Sequence, residues 1–191
     1  MKAYYGVALA ACLLAGCNKS DTAARDAHDT DVAATNVATI APAAAVEPTP
    51  ADAAGYLAKA GAGDLFEIES SRAILAKSPG KAVADFARMM IDAHSQSTAK
   101  LKAAATGAGL TIAPPALDPG QQTKLDGIKS AERDVAVTAY LTAQREAHAA
   151  ALALHQGYAA GGDTPALKTA AGEIVPVVQH HIDMLGTLPG A

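Results

Sequence analysis

The chain has 191 residues and a formal net charge of −4 at neutral pH, from 19 acidic and 15 basic side chains. This negative charge argues against binding to nucleic acid, whose phosphates attract basic proteins. With two phenylalanines and no tryptophan, the chain also offers few of the aromatic faces on which bases and sugars stack. The composition therefore excludes nucleic acid and carbohydrate as leading ligands.

The N-terminal segment has the pattern of a bacterial lipoprotein signal peptide. Lys2 precedes an uncharged segment that is too short to span a bilayer and that ends in Leu14-Ala15-Gly16-Cys17. We predict a signal peptide over residues 1–16, cleavage before Cys17, and lipid attachment to Cys17. An ordinary secretory signal is the alternative, but the abrupt change to the polar residues Asn18-Lys19-Ser20 favours the lipoprotein.

Lipidation predicts both a location and a limit on metal ligands. A cysteine that carries more than one acyl chain anchors stably in a membrane, and Asn18 rather than Asp at the next position predicts the outer membrane, facing the periplasm. Cys12 would leave with the signal and Cys17 would carry the lipid, so no free thiol would remain. Any metal site must then use nitrogen and oxygen ligands. The sequence names no protein partner.

Residues 17–51 are predicted to form a disordered tether behind the anchor. From Asn18 onwards this segment consists largely of Ala, Thr, Asp and Pro, which bury too little apolar surface to offset the entropy of ordering. Residues 52–189 have the length of a single domain. The sequence therefore predicts one folded domain that stands off the membrane.

The positions of capping residues and prolines in this domain predict helices and no strands. A first helix is expected from Asp52 to Lys77, and three later helix starts are marked by a capping residue followed by proline: Ser78-Pro79, Asp118-Pro119 and Thr164-Pro165. Gln121 completes a capping-box pattern after Asp118. Four long helices with short or modest loops predict an all-α fold, an antiparallel four-helix bundle.

Three of these helices place a histidine on the apolar face. The second helix has the stripe Val83, Ala87, Met90, His94, Ser97 and Leu101; the third has Val137, Leu141, Gln144, His148, Leu152 and His155; the fourth has Leu167, Ala170, Ile174, Val177, His181, Met184 and Leu188. His155 is expected to interact with the C-terminal dipole of its helix, and His180 and Asp92 to face water. His94, His148 and His181 are therefore predicted to point into the bundle.

Buried imidazoles need hydrogen bonds, water or a cation. Three histidine nitrogens, with the carboxylate of Glu67 on the first helix as a fourth ligand, would suit zinc, iron or copper better than calcium or magnesium. Gln144, one turn before His148, is predicted to orient an imidazole. The alternative is a polar core cluster without metal, and spacing alone leaves both interpretations open.

The order of these residues resembles the bacterial extracytoplasmic family catalogued as domain of unknown function 4142. The landmarks are Glu67-Ile68-Glu69, Met90 four residues before His94, Tyr140 before Gln144 and His148, and Pro176 five residues before His181. The resemblance covers about residues 52–188 and implies a ferritin-like four-helix bundle. It departs from the family pattern at Ala93 and at Ala136-Val137, where the family usually has Asp and Phe-Asp.

A di-iron carboxylate oxidase is not expected from this bundle. Such sites use Glu-x-x-His motifs, whereas Ile91 and Val178 stand three residues before His94 and His181. The leading hypothesis is an envelope-anchored protein, non-catalytic or at most weakly redox-active, that binds a transition metal. A structural or protein-interaction module of the envelope is the alternative, and an enzyme that activates water or oxygen at the site ranks third.

Overall fold

The computed structural model describes residues 49–189, and over these residues the protein is all-helical, without a strand. This described part has five helices: α1 (Ala53–Ala76), α2 (Lys81–Gly107), α3 (Pro119–Ser130), α4 (Arg133–Gly161) and α5 (Pro165–Leu185). None of the helices in this described part is long and apolar enough to cross a membrane. The predicted signal peptide, Cys17 and most of the predicted tether lie outside the described residues.

The first helix begins where the sequence predicts it. Asp52 is the N-cap of α1, and its side chain accepts a hydrogen bond of 2.7 Å from the backbone N–H of Gly55. At the other end, the N–H groups of Lys77 and Ser78 close the last turn on the carbonyls of Ile74 and Leu75. The prediction of this helix is therefore confirmed within one residue at each end.

The predicted start of the second helix at Ser78-Pro79 is wrong. Gly80 is the N-cap and α2 begins at Lys81, because Ser78 is used to leave α1 rather than to enter α2. Its backbone lies in the left-handed region, with φ of 52°, and turns the chain away from the preceding helix. Gly80 then has a ψ of 155°, which is not helical, and α2 starts at the next residue.

The third predicted helix is divided in two. The capping box at Asp118 is confirmed by reciprocal hydrogen bonds with Gln121 of 2.8 and 3.0 Å, but it starts only the short helix α3. Ala131 and Glu132 have extended backbones, although neither residue type breaks helices. The carbonyl of Ala131 instead accepts a 2.8 Å hydrogen bond from Nζ of Lys77 at the end of α1. A contact between distant segments thus stabilises the break.

The four long helices contact one another in a ring. Helix α1 packs on α2 and α4, helix α5 packs on the same two helices, and α3 lies against α1 and α4. The interior holds two apolar clusters. One is centred on Phe66, Ile74, Phe86, Met90 and Leu141, and the other on Tyr56, Leu57, Leu101, Leu167 and Val178.

In α2, α4 and α5, the buried polar residues stand between the two clusters. In α1, Asp64 does so, and Glu67, Ser70 and Ser71 follow it beside the first cluster. In α2 the first cluster ends at Met90, His94 follows, and the second cluster resumes at Leu101. In α5 the order is reversed, from Val178 through His181 to Leu185. The structure therefore has a polar layer with apolar packing on either side of it along the helices.

The predicted stripe of α5 needs one correction. Val177 is 45 % exposed, whereas Val178 is 2 % exposed. The buried positions Ile174, Val178, His181 and Leu185 alternate by four and three, which keeps them on one face of a 3.6-residue helix. His181 stays on the buried face because it lies three residues after Val178.

Gly162 provides a stability test of the connection between α4 and α5. A Cβ atom at this position would lie 2.6 Å from ring atoms of Tyr158, whereas a Cβ at Gly161 would meet nothing within 4 Å. Gly162→Ala should therefore cost about 1–3 kcal/mol of unfolding free energy through overpacking, and Gly161→Ala should change it by less than about 0.5 kcal/mol. Urea unfolding of both variants measures the contrast, and equal costs would contradict it.

Candidate metal centre

Three histidines from three helices meet in the polar layer. His94 of α2, His148 of α4 and His181 of α5 are all buried, and each offers a ring nitrogen within 4.8 Å of those of the other two. The prediction that each of these helices carries a buried, inward histidine is therefore confirmed. Their convergence is what spacing alone left open, because it depends on the axial registers of the helices.

The ring nitrogens of His148 have distinct partners. Its Nδ1 lies 2.9 Å from the backbone carbonyl of Gln144, one turn earlier in α4. Because a carbonyl only accepts, we assign the ring proton to Nδ1. The unprotonated Nε2 then faces Nδ1 of His181 at 3.3 Å. Two nitrogens that share a tetrahedral ion at about 2.0–2.1 Å lie about 3.3 Å apart, so this pair has the spacing of two metal ligands.

Gln144 contacts His148 through its backbone carbonyl, and its side chain bonds elsewhere. The carbonyl of Gln144 orients His148, while its side-chain amide donates a 3.1 Å hydrogen bond to Oγ of Ser70. Its Oε1 is buried without a partner in the described structure. The side chain of Gln144 therefore connects α4 to α1 through Ser70.

Asp64 orients His94 and was missed by the sequence analysis. Its Oδ1 lies 2.8 Å from Nδ1 of His94, and its Oδ2 accepts a 2.8 Å hydrogen bond from Oγ1 of Thr98. In the neutral form of His94, with Nδ1–H bound to the carboxylate, the lone pair lies on Nε2, which is buried without a hydrogen-bond partner among residues 49–189. A carboxylate behind a histidine is typical of metal-binding imidazoles. Asp64 stands three residues before Glu67, on the same face of α1, and that spacing was the available signal.

The electrostatics of His94 follow from these neighbours. Burial disfavours the charged imidazolium, but the hydrogen bond that His94 donates to Asp64 and the negative charges of Glu67 and Asp64 outweigh burial and raise the pKa of His94 above its ordinary value. For His181, burial and the neighbouring histidines lower the pKa to about 3. The same layer therefore holds one histidine that favours a positive charge and one that strongly resists it.

Glu67 is buried in this layer but lies beside the three-histidine group. Its Oε1 is 3.2 Å from Nδ1 of His148, the nitrogen that bonds to the carbonyl of Gln144 and not the one that faces His181. Both carboxylate oxygens lack a hydrogen-bond partner in the described structure. The geometry thus places a buried negative charge next to the histidines, where it stabilises a cation, while the group within 4.8 Å comprises histidines alone.

The sequence predicts that His155 interacts with the C-terminal dipole of its helix, and this prediction is wrong. It is buried, and its Nδ1 lies 2.9 Å from the hydroxyl of Tyr56 on α1. Side-chain packing between α1 and α4 thus outweighs the attraction of the helix dipole. His180 and Asp92 are exposed, as predicted.

The pKa of His155 makes the domain sensitive to acid. Burial lowers this pKa to about 4, against the opposing charge of Asp64 and with help from His94. Below pH 6.5 the unfolded chain protonates this histidine and the folded chain does not, so the stabilisation present above pH 6.5 is lost as the pH falls towards 4. The loss amounts to about 3 kcal/mol.

His155→Gln should remove that part of the acid sensitivity. We expect the free energy of unfolding of the metal-free variant to fall less between pH 7 and pH 4.5 than that of the wild type, as measured by urea unfolding across this range. Parallel pH profiles for the two proteins would contradict the assignment. His180→Gln, at an exposed position, is the matched control and should leave the profile unchanged.

A family model described as "Domain of unknown function (DUF4142)" matches residues 37–188 of the chain. The chain belongs to this family. No curated protein matches it at a significant level. The DUF4142 match includes both apolar clusters and the complete histidine layer, so the candidate centre lies inside the family domain.

The solved structures include a similar fold. "Crystal structure of DUF305 fragment from Deinococcus radiodurans" matches with a TM-score of 0.62 at 16 % sequence identity, over 74 % of this chain and 99 % of that one. At this identity the similarity concerns the fold alone. The DUF4142 domain thus shares its helical architecture with a fragment from another domain of unknown function.

Proposed function

We propose that the protein is an envelope lipoprotein whose helical domain binds one transition-metal ion through His94, His148 and His181. The observation that carries the proposal is the convergence of three buried ring nitrogens within 4.8 Å. The tautomers of His94 and His148 are set by Asp64 and by the carbonyl of Gln144, respectively. Both hydrogen bonds leave the lone pair on Nε2: that of His94 has no partner among the described residues, and that of His148 faces Nδ1 of His181, which a metal ion would replace as its partner.

The charge in the layer supports a divalent cation. Asp64 and Glu67 are both buried, and neutral histidines would leave two negative charges away from water. Burying unpaired charge is costly, and a divalent ion would neutralise the pair. In its absence, a proton on His94 compensates only one of the two charges. Nitrogen ligands favour zinc, copper or iron over calcium or magnesium. Glu67 remains a candidate fourth ligand, and its side chain would have to rotate towards the three histidines to bind the ion.

We further propose that the domain is a ferritin-like, antiparallel four-helix bundle with α3 as an addition. The two apolar clusters occur in one order along α1 and α5 and in the opposite order along α2 and α4. Helices that contact each other in the ring therefore run in opposite directions. This topology supports a site in the bundle core built from facing helices.

A structural module without metal is the second candidate. It is favoured by the hydrogen bonds that His94 and His148 already make to Asp64 and the carbonyl of Gln144, which partly satisfy the layer. It leaves unexplained the unpartnered Nε2 of His94 and both oxygens of Glu67. In this alternative the domain would act through contacts with another envelope protein.

Metal analysis distinguishes the two candidates. The protein, purified without an affinity tag, is analysed for bound elements and then titrated, after chelation, with Zn²⁺, Cu²⁺ and Fe²⁺ in competition with a metal indicator. We expect one ion per chain and a higher melting temperature in its presence. Failure of all three ions to bind would refute the metal function and favour the structural module.

Anchoring is a separate proposal that rests on the sequence around Cys17. In the native host, the wild-type protein should incorporate a labelled fatty acid and sediment with membranes, and Cys17→Ser should abolish both. The matched control is Cys12→Ser, because Cys12 would be removed with the signal peptide. A labelled, sedimenting Cys17→Ser protein would contradict the proposed lipidation site.

A further inference from the structure

A second polar cluster runs from the interior of the domain to its surface. The hydroxyl of Tyr56 lies 2.9 Å from Nδ1 of His155. The ring of Tyr56 stacks on that of Tyr158, with centroids 3.8 Å apart and planes 10° from parallel. The hydroxyl of Tyr158 donates a 2.8 Å hydrogen bond to Oδ1 of Asp163. Tyr56 and His155 are buried and Asp163 is exposed, so the contacts are continuous from core to solvent.

Both phenols in this cluster have a base as partner, and packing does not require one. Tyr140 shows the alternative, because it is equally buried and its hydroxyl pairs with Oγ of Ser71 at 2.9 Å. A hydroxyl partner is therefore enough to satisfy a buried phenol in this protein. An imidazole and a carboxylate add the capacity to take up a proton, which a serine lacks at neutral pH.

We propose that Tyr56, His155, Tyr158 and Asp163 form a one-electron redox site that is reached from the surface. An outer-sphere one-electron oxidant in solution takes an electron from Tyr158, and the phenolic proton of Tyr158 passes to the carboxylate of Asp163. An electron then moves from Tyr56 to Tyr158 across the stacked rings, while Tyr158 recovers its proton from Asp163 and the proton of Tyr56 passes to Nδ1 of His155.

The overall reaction balances. Tyr56 loses one electron and one proton and becomes a neutral tyrosyl radical, His155 gains the proton, and the oxidant gains the electron. A one-electron reductant reverses the sequence. No bond between heavy atoms forms or breaks, so the site needs only short hydrogen bonds and close ring contact, both of which are present.

The protonation states of the cluster suit this chemistry. Burial, with the charge of Asp64 and the neighbouring Tyr158, raises the pKa of Tyr56 far above its ordinary value, so the phenol keeps its proton until it is oxidised. The pKa of His155 is lowered to about 4 by burial, so its ring is neutral at pH 7, and we assign its proton to Nε2, which leaves Nδ1 as the acceptor. Burial makes His155 a weaker base than a free imidazole, but an oxidised phenol is so strong an acid that its proton still passes to Nδ1. The pKa of Asp163 is lowered by its hydrogen bond from Tyr158, so its carboxylate is ionised.

The inner end of this cluster lies near the histidine layer. His155 follows His148 by seven residues of α4, or about 10 Å along the helix, and the charges of Asp64 and His94 act on His155. Electrons tunnel through protein over such distances. A role of Tyr56 as electron donor to a bound metal rests on the proposed function, whereas the redox site itself does not.

The test is flash oxidation of the metal-free full chain by photogenerated tris-bipyridine ruthenium(III), with tyrosyl radicals detected by electron paramagnetic resonance. Tyr4 and Tyr5, outside the described residues, are replaced by Phe in every protein. We expect a persistent radical in the wild type and none in Tyr56→Phe. In Tyr158→Phe and in His155→Gln the radical should form at about one-hundredth of the wild-type rate or less, on the scale of a lost proton-transfer group.

Tyr140→Phe is the matched control and should leave the radical yield unchanged. Circular dichroism verifies that each variant is folded, and the Phe variants keep the rings in place. Wild-type radical yield in Tyr56→Phe, or an equal loss in Tyr140→Phe, would overturn the proposal, as would an unchanged rate in His155→Gln. Because this experiment uses the metal-free protein, a negative result would count against the redox site and would leave the proposed metal binding unaffected.

Discussion

Replacing His94, His148 and His181 together with alanine is expected to abolish stoichiometric metal binding. Their nitrogens are the ligand atoms that converge within 4.8 Å, and Glu67 alone cannot hold an ion firmly. At a metal concentration of 100 times the dissociation constant, the wild type should gain about 2.7 kcal/mol of stability, and the variant should gain none. Elemental analysis measures the first effect, and denaturant unfolding with and without metal measures the second.

The control for this prediction is His180→Ala, next to His181 but exposed. It should retain one ion per chain and the full metal-dependent gain in stability. Because three alanines also leave cavities in the core, single His94→Gln and His181→Gln variants, which keep most of the side-chain volume, are measured beside the triple variant. Metal content equal to that of the wild type in the folded triple variant would contradict the proposed ligands.

Asp64→Asn is expected to weaken metal binding by about 10- to 100-fold, the usual effect of removing the partner of a ligating histidine. Asn is similar in shape and retains an oxygen acceptor, but it lacks the charge that favours binding of a cation through His94. Competition titration against a metal indicator measures the affinity. In the metal-free Asp64→Asn variant, the pKa of His94 should be lower than in the wild type, where Asp64 helps to raise it.

Asp92→Asn provides the control for the charge change. Asp92 is exposed on α2, two residues before His94, so its replacement removes the same charge without touching the imidazole. We expect its affinity for metal to match that of the wild type. Equal affinities in Asp64→Asn and Asp92→Asn would show that the 2.8 Å contact between Asp64 and His94 does not support the site.

The features predicted correctly from the sequence are governed by nearby residues. Asp52 caps α1 through Gly55, and Asp118 pairs with Gln121 at the start of α3; each interaction spans three residues. The burial of His94, His148 and His181 follows from apolar neighbours at helical spacing. Such signals are available without knowledge of how helices pack.

The features missed depend on contacts between distant segments. The helical conformation is interrupted between α3 and α4, where the carbonyl of Ala131 accepts a hydrogen bond from Lys77, 54 residues earlier. His155 is paired with Tyr56, 99 residues away in sequence. Local propensity favours neither result, since Ala and Glu are good helix formers and a histidine near a helix end is favoured by the dipole.

By itself, the sequence determined that the described domain is helical and that His94, His148 and His181 are buried, because both results depend on periodicity and capping within single helices. The tertiary structure decided that the three histidines meet, that Asp64 stands behind His94, and that Glu67 lies against Nδ1 of His148. Periodicity fixes the direction of a side chain around its own helix axis. It leaves free the axial offset between helices, and that offset determines whether buried ligands share one layer.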